Sequence, residues 1–331
     1  MTRHPRPGDH DEPAGTGHSG EFALIDWIKA RAGSGPRTLV GIGDDCAVLQ
    51  TEPGTELLVT TDMLMEGRHF DLGTATAAEV GFKALGVNLS DIAAMAGRPI
   101  AALVAVALPK GRAIELARGL LEGMTPLAEQ FGVGLVGGDT NAWDGPLVIG
   151  VTVLGESVAP GPVRRSGARP GDAVVVTGPL GGSLLGRHLR PLPRIDEARA
   201  LNQSATLHAM IDISDGLASD LGHILDESGG LGAILEAGAI PIHPDALTAS
   251  ARDGRSTLDH ALNDGEDFEL CVVLGPADLD RWLGAPTATA SLVRVGTITA
   301  EPGLRLRSLE GAIVPLARGG FDHLLAIDRG P

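Results

Sequence analysis

Segments of strand length and segments with helical periodicity alternate through the first half of the chain. Ala77 to Ala96 and Ala113 to Phe131 carry apolar residues at three- and four-residue spacing, which predicts two long helices. A shorter amphipathic helix is predicted from Glu21, and short apolar segments predict strands at 57–61, 101–108, 135–136 and 147–154. A chain with this alternation is expected to fold as an α/β or α+β protein.

The second half differs in composition. Pro, Gly and Arg accumulate around residues 158 to 172, which predicts a domain boundary. We therefore expect a disordered tail at 1–20, an N-terminal domain at 21–157 and a C-terminal α+β domain at 158–331. Strands are predicted at 173–177, 268–274, 293–298 and 304–306, and a helix is predicted to begin near Ser214. The glycine-rich segment 178–183 lacks G-x-G-x-x-G spacing and is interpreted as a turn.

Acidic residues recur beside Gly, Ser or Thr where these elements are predicted to end. They are Asp44, Asp45, Asp62, Asp91, Asp139, Asp212, Asp215, Glu266 and Asp267. Asp91 is the most unusual, because it lies within a helix that is apolar almost all round. A buried carboxylate costs several kcal/mol unless it is paired or binds a metal. Taken alone, Asp91 favours hydrogen bonds from backbone or arginine, but the recurrence of such sites favours a metal ligand.

Asp212 and Asp215 also allow two interpretations. If a helix begins at Ser214, then Ser214 or Asp215 can cap its N-terminus. Both carboxylates would also lie where phosphate oxygens are favoured by the helix dipole. A cap explains one acidic residue there and not two. Oxygen ligands without a Cys or His cluster suit magnesium, which takes one or two carboxylates per ion and the rest of its ligands from water and phosphates. Dispersed acids therefore predict several Mg²⁺ ions around a polyphosphate.

Charge and hydropathy exclude other classes of protein. The net charge of -16 argues against a nucleic-acid partner, which requires a basic face. The apolar segments are far shorter than the ~20 residues of a membrane helix. No charged segment followed by an apolar stretch begins the sequence, so we expect a cytoplasmic protein. No Gly-Lys pair occurs, so a P-loop is absent and any ATP must be bound through metals and backbone.

A series of motifs resembles the thiamine-monophosphate kinase family. They are Gly41-Ile42-Gly43-Asp44-Asp45, Thr60-Thr61-Asp62, Gly67-Arg68-His69-Phe70, Lys83-Ala84-Leu85, Asn88-Leu89-Ser90-Asp91, Gly137-Gly138-Asp139-Thr140, Arg165-Ser166-Gly167, Asp212-Ile213-Ser214-Asp215-Gly216, Gly265-Glu266-Asp267-Phe268 and Gly320-Phe321-Asp322-His323. The resemblance runs from about Glu21 to His323, nearly the whole chain.

This resemblance implies the two-domain aminoimidazole ribonucleotide synthetase-like fold and a homodimer built through the N-terminal sheets. It implies transfer of the γ-phosphoryl group of ATP to thiamine monophosphate, with Mg²⁺ as cofactor. The implied magnesium ligands are Asp45, Thr60, Thr61, Asp62, Asp91, Asp139, Asp212 and Asp215. Gly138, Asp139, Arg165 and Ser214 would lie at the ATP site, and His69, Glu266 and Phe321 would contact the thiamine phosphate. Asp91 and Asp212 would act in catalysis through magnesium, and Arg165 would clamp phosphate.

Two rival functions stay open at the level of sequence. One keeps the fold and changes the acceptor, as in an ATP-dependent synthetase of the same superfamily. A selenophosphate synthetase would need a reactive Cys and Lys near the N-terminus, and residues 1–28 contain neither. The other rival is a non-catalytic module that binds nucleotide or metal.

Overall fold

The computed structural model describes residues 21–33, 35–42, 46–283 and 292–319. The first part contains α1 (Glu21–Arg31), β1 (Thr38–Val40), β2 (Val48–Leu49), β3 (Leu57–Met65), α2 (Ala77–Ala94), β4 (Arg98–Pro109), α3 (Ala113–Phe131), β5 (Gly134–Trp143) and β6 (Val148–Glu156). The second contains β7 (Ala173–Val176), α4 (Ile195–Ser204), β8 (Leu207–Asp212), α5 (Leu217–Glu227), β9 (Gly232–Glu236), α6 (Pro244–Asp253), α7 (Thr257–Asn263), β10 (Leu270–Leu274), α8 (Pro276–Leu283), β11 (Val293–Thr299), β12 (Gly303–Arg307) and β13 (Ile313–Pro315). No helix within these described ranges is long and apolar enough to cross a membrane.

The first sheet has four strands in the order β3-β6-β4-β5, with β4 and β5 parallel and the other pairs antiparallel. Because side chains alternate along a strand, β3 turns Leu58, Thr60, Asp62 and Leu64 to one face and its remaining side chains to the other. The inner face packs on α2. The outer face is exposed and mostly apolar, and its apolar side chains on β3 and β4 include Leu57, Val59, Met63, Met65 and Leu103.

Helix α2 begins with a capping box. The Thr76 hydroxyl accepts the Glu79 N–H, and the Glu79 carboxylate accepts the Thr76 N–H. The helix then packs closely against α3, and glycine permits this contact. A Cβ added to Gly81 would lie 2.1 Å from the Leu120 carbonyl oxygen, so no larger residue fits there.

The second sheet has seven strands in the order β13-β12-β9-β11-β7-β10-β8. Only β12 and β9 pair in parallel. Helix α2 connects the two sheets, because it packs on β3 and β6 on one side and on α4 and β8 on the other. One hydrophobic core accordingly includes residues of both sheets, such as Leu64 of β3 and Met210 of β8, together with Leu89 of α2. This arrangement brings the middle of α2 next to the last residue of β8.

Several predicted boundaries were wrong, and three of them lie near predicted site residues. The strand expected to end at Asp62 continues to Met65, since Asp62 stays paired with Val151 of β6. The strand expected to stop at Gly137 runs to Trp143, with a bulge opposite Ala102 and Leu103 that absorbs one extra residue.

The helix expected near Ser214 begins at Leu217, because the preceding residues form a turn held by Asp220. The mixed α/β class was confirmed. The domain boundary near residue 158 stays a prediction, and the predicted tail at 1–20 lies outside the described residues.

Candidate active site

A cavity of about 650 Å³ opens where β3, α2, the β8–α5 turn and the loop before β10 meet. Seven of the predicted site residues line it: Asp62, His69, Asp91, Asp212, Ser214, Asp215 and Glu266. They come from residues 62 to 266, so both sheets contribute. That these residues bind magnesium and substrate stays a prediction.

Carboxylates form one wall of the cavity. Asp62 lies on the inner face of β3, Asp91 on α2, and Asp212 at the end of β8. Each of the last two is held by a hydroxyl, since Thr60 Oγ1 donates to Asp91 and Ser90 Oγ donates to Asp212 Oδ2 at 2.7 Å. These two hydrogen bonds therefore fix the positions of the Asp91 and Asp212 carboxylates.

The positive charge near these carboxylates does not balance their negative charge. Burial and the neighbouring Asp91 charge raise the pKa of Asp62 to about 6. Burial also raises the pKa values of Asp91 and Asp212, and for Asp212 the charge of Asp91 adds to it. The charge of Arg165, whose side chain is exposed in the loop before β7, acts in the opposite direction on both.

This donor set fits magnesium: it offers only hard oxygen atoms, and it carries buried negative charge that a cation would neutralise. A different, tighter group has one ligand atom each from Asp215, Asp220 and His223 within 4.8 Å of one another. It is the one group of three or more His, Cys, Asp or Glu residues this close together in the described ranges. The carboxylates of the wall are thus spread around the cavity rather than closed on one point.

Asp220 is a residue of this region that the sequence prediction missed. Its buried carboxylate accepts the backbone N–H groups of Asp215 at 3.0 Å and Gly216 at 3.1 Å. Burial and the charges of Asp212 and Asp215 raise the pKa of Asp220 to about 8. The carboxylate that stabilises the start of α5 is therefore that of Asp220, and Asp212 and Asp215 both line the cavity.

A second wall is built around Glu266. The Nζ of Lys83 donates to both Glu266 carboxylate oxygens, at 2.9 and 2.7 Å, and to the His69 carbonyl oxygen at 2.7 Å. His188 also lines the cavity, and its Nδ1 lies 2.9 Å from Glu266 Oε2. Burial acts to raise the pKa of Glu266, but its contacts with His188 and Lys83 outweigh burial and lower it.

Lys83 and His188 were not predicted as site residues. A signal existed for Lys83, because it is one of three lysines in the chain and lies on an apolar helix. His188 follows the glycine-rich segment that was interpreted as a turn, and nothing in its local sequence marks it.

Gly138 and Asp139 lie at a second, smaller cavity of about 210 Å³. Its lining is mostly apolar and comes from α1, α3, β4 and β5, with Leu121 and Val104 among its residues. Gly138 is required there, since a Cβ at this position would lie 1.9 Å from the Val104 carbonyl oxygen. The exposed Asp139 carboxylate accepts the Asn141 side-chain N–H at 2.8 Å.

Among the described residues of the predicted set, Thr61 lies away from both cavities. The Thr61 side chain is on the outer face of the first sheet, where its hydroxyl contacts the Val151 carbonyl and the Thr152 hydroxyl. It is therefore on the opposite side of the sheet from Asp62. Asp45 and Phe321 lie outside the described residues.

Comparison with known proteins defines the class first. Residues 43–157 match the family described as AIR synthase related protein, N-terminal domain. Together with the two mixed sheets and the acidic cavity, this match places the chain among proteins with the AIR synthase-like fold, as the sequence predicted.

The relatives narrow this class further. The thiamine-monophosphate kinase of Rhodopirellula baltica is 39% identical over 315 residues, which cover 92% of this chain and 97% of the relative. The crystal structure of thiamine-monophosphate kinase from Stenotrophomonas maltophilia K279a has a TM-score of 0.74 and 36% identity, covering 86% of this chain and 96% of that one. AaThiL complexed with AMPPCP and TMP has a TM-score of 0.72 and 28% identity, covering 92% and 97%. The chain belongs to the thiamine-monophosphate kinase family and is a kinase.

Proposed function

We propose that this enzyme transfers the γ-phosphoryl group of ATP to thiamine monophosphate, giving thiamine diphosphate and ADP. The observation that carries this proposal is the shared cavity, in which a wall of carboxylates faces a second wall built around Glu266. Such a cavity suits an acceptor with a phosphate at one end and an organic group at the other. The complex of AaThiL with an ATP analogue and TMP supports the same pair of substrates.

Asp62, Asp91, Asp212 and Asp215 would hold Mg²⁺ on the carboxylate wall, with Thr60 orienting Asp91 and Ser90 orienting Asp212. When bound, Mg²⁺ would neutralise charge on the two phosphate groups that must approach each other and would favour in-line transfer. Because the carboxylates of this wall are not gathered at one point, several ions fit this arrangement better than one. The family resemblance implies that Asp139 and Asp45 would also be magnesium ligands.

No side chain is needed as a general base. The attacking atom is a phosphate oxygen of the acceptor, and a phosphomonoester with a second pKa of ~6 is largely ionised at neutral pH. The work of the protein is then to orient two anions and to compensate their charge. Arg165 supports this role, since its guanidinium is the cation whose charge acts on both Asp91 and Asp212.

The smaller cavity suits the base of ATP. It is apolar, it is bounded by Gly138, and Asp139 lies at its edge next to Asn141. An adenine ring seated against Val104 and Leu121 would direct its phosphates past Asp139 towards the acidic wall. Ser214 lines the large cavity beside Asp212 and would contact those phosphates.

The outer face of the first sheet supports the proposed homodimer. Its apolar side chains are well exposed, with Val59 at 61% and Met63 at 62%. Contiguous apolar patches on a protein surface mark interaction sites, and a second copy of this chain would cover this one. We also propose that the protein is located in the cytoplasm.

The test is a product assay. Purified protein is incubated with ATP, Mg²⁺ and thiamine monophosphate, and thiamine diphosphate and ADP are separated by chromatography. The Asp91→Asn variant, purified identically, controls for contaminating kinases. Formation of both products in equal amounts supports the proposal.

Two results would contradict it. Phosphorylation of another acceptor in place of thiamine monophosphate would favour a synthetase of the same fold. ATP binding without ADP formation, with both substrates and metal present, would favour a non-catalytic module.

A further inference from the structure

A buried carboxylate lies in the first sheet, away from the acidic wall. Glu156 is the last residue of β6, and its side chain is 0% exposed. It pairs with Leu57, five residues along β3 from Asp62, and the proposed phosphoryl transfer does not use it. A buried charge is costly unless opposite charges and hydrogen-bond donors surround it. The partners of Glu156 therefore indicate what this carboxylate does.

Glu156 contacts groups from two parts of the chain. Its Oε1 accepts the backbone N–H of Glu52 at 2.8 Å, and its Oε2 accepts an N–H of Arg98 at 2.7 Å. Arg37 Nη2 lies 3.6 Å from the same Oε2 and also donates to the Glu52 carboxylate. Arg98 begins β4, whereas Arg37 and Glu52 flank the short strands β1 and β2. These four residues, which we call the anchor cluster, balance in charge and join β1 and β2 to the sheet.

Strands β1 and β2 have few other means of holding their position. They form a two-stranded sheet that is separate from the other two sheets. Such a pair is marginally stable at best when it stands alone. Leu39, Val40 and Val48 are largely exposed, although Leu49 packs against the small core group that contains Ile100. The placement of β1 and β2 should therefore depend strongly on the anchor cluster.

The same two strands lead from the anchor cluster to the smaller cavity. The Arg37 carbonyl oxygen accepts the N–H of Gln50 at 2.9 Å, which closes the pair of strands at the anchored end. At the other end Ile42, two residues after β1, lines the smaller cavity together with Val104 and Leu121. A displacement of the anchored end would therefore move part of the wall of this cavity.

We propose that Glu156, acting through Arg37 and Glu52, is a positioning residue for the nucleotide: it holds β1 so that Ile42 closes the cavity of the adenine base. This inference rests on the proposed function, since it assumes that the base of ATP occupies the smaller cavity. Loosening the anchor cluster lowers the fraction of molecules in which this cavity is complete, and the apparent affinity for ATP falls with that fraction. The large cavity is lined from Asp62 onwards, so the acceptor is unaffected.

A matched pair of arginine substitutions tests the proposal. Arg37 and Arg98 each contact both carboxylates of the cluster, and their side chains are 20% and 32% exposed. They differ in attachment, because Arg37 adjoins β1 and Arg98 belongs to the four-stranded sheet. We expect Arg37→Met to raise the KM for ATP by ~10-fold, since a hydrogen bond between charged groups is lost. Arg98→Met should change it by less than ~2-fold, and both should keep the KM for thiamine monophosphate.

Glu156→Gln tests whether the arginine acts through the carboxylate. It keeps the shape of the side chain and removes the charge that attracts Arg37. It should raise the KM for ATP as Arg37→Met does. Adding Arg37→Met to Glu156→Gln should then raise this KM by less than a further ~2-fold, because the two residues contribute to one contact.

Hydrogen exchange of backbone amides provides a measurement that does not depend on catalysis. In Arg37→Met and Glu156→Gln the amides of β1 and β2 should exchange ~10-fold faster than in the parent, while those of α3 keep their rates. In Arg98→Met the amides of β1 and β2 should keep the parent rates. A cluster that only stabilises the fold would instead give faster exchange throughout the first sheet in all three variants.

The outcomes separate this inference from the proposed function. If Arg37→Met and Arg98→Met change the KM for ATP equally, or if Arg37→Met raises both KM values together, Glu156 does not position the nucleotide site. If the parent does not phosphorylate thiamine monophosphate, the proposed function fails, and calorimetric binding of a non-hydrolysable ATP analogue to the same variants decides this inference. Should Arg37→Met not fold, as judged by circular dichroism, Arg37→Gln takes its place.

Discussion

Replacing Asp62 by Asn should make the metal-free enzyme more stable while it weakens the active one. Asp62 lies on the inner face of β3, where burial and the charge of Asp91 raise its pKa to about 6 from 3.8. Without a cation, the folded protein must hold this carboxylate charged at pH 8 in an unfavourable place. Asparagine has the same shape and no charge, so it removes that cost.

The magnitude follows from the shift in pKa. A raised pKa of about 6 exceeds the unfolded value by roughly two units, and each unit corresponds to about 1.4 kcal/mol, which gives an upper limit of ~3 kcal/mol. For a chain of this length, ~3 kcal/mol corresponds to a rise of ~5 °C in the midpoint of thermal unfolding. The Mg²⁺-dependent gain in stability should be smaller in the variant, because Asp62 is a proposed ligand.

The sign of the pH dependence is part of the prediction. Below about pH 4 the Asp62 carboxyl is protonated in both the folded and the unfolded state, so parent and variant should unfold at the same temperature. As the pH rises through about 6, the parent loses the stability that protonated Asp62 provided, and the variant does not. The difference should therefore appear between pH 4 and 7 and stay constant above.

The assay is thermal unfolding by calorimetry in EDTA at constant ionic strength from pH 4 to 8.5, repeated with Mg²⁺. Asp144→Asn is the control, since Asp144 is an exposed carboxylate paired with the exposed Lys110. The reasoning is refuted if metal-free Asp62→Asn unfolds at or below the parent temperature at pH 8. It is also refuted if Mg²⁺ stabilises both proteins equally.

Three further predictions concern activity and assembly. Asp91→Asn and Asp212→Asn should keep the near-UV circular dichroism of the parent and lower kcat by ~100-fold or more, and near-normal turnover at saturating Mg²⁺ would remove that residue from the site. Phe321→Ala should raise the KM for thiamine monophosphate more than the KM for ATP, whereas equal effects would contradict a stacking role. Met63→Glu should give a monomeric mass by light scattering at concentrations where the parent is a dimer, while Leu309→Glu, at an exposed residue of the turn between β12 and β13, should leave the mass unchanged.

Periodicity predicted β3 and α2, which carry Asp62 and Asp91 of the acidic wall, but it did not predict β8, which ends at Asp212. The bounds of α3 agree with its apolar pattern, and α2 ends two residues earlier than expected. The acidic residues beside Gly, Ser and Thr indicated a site on α2 and another near Asp212. Burying Asp91 without compensation is costly, so its presence in an apolar helix was informative before any contact was known.

The second wall could not be predicted in the same way, because its contacts are remote in sequence. Lys83 and Glu266 are 183 residues apart, and Lys83 and His188 are 105 apart. No local pattern relates a lysine on α2 to a histidine that follows a glycine-rich turn. Asp220 could not be predicted either, although its partners are close in sequence. Its carboxylate accepts backbone N–H groups only because of the shape of the turn before α5, and the sequence did not reveal that shape.

In the loop between α7 and β10, two residues adopt backbone conformations that their local sequence does not favour. Glu266 and Phe268 have φ values of +51° and +52°, a region that residues with a Cβ rarely adopt, and each such residue costs of order 1–3 kcal/mol. Long-range contacts offset this cost: the N–H groups of the two residues donate to the carbonyl oxygens of Ser214 at 2.7 Å and Ile213 at 2.9 Å, and Lys83 holds the Glu266 carboxylate. The sequence predicted a strand from residue 268 and not this conformation, because the groups that enforce it belong to α2 and the β8–α5 turn. Since the strain is maintained only while those partners are present, the position of Glu266 in the cavity depends on both sheets, and so does the second wall of the site.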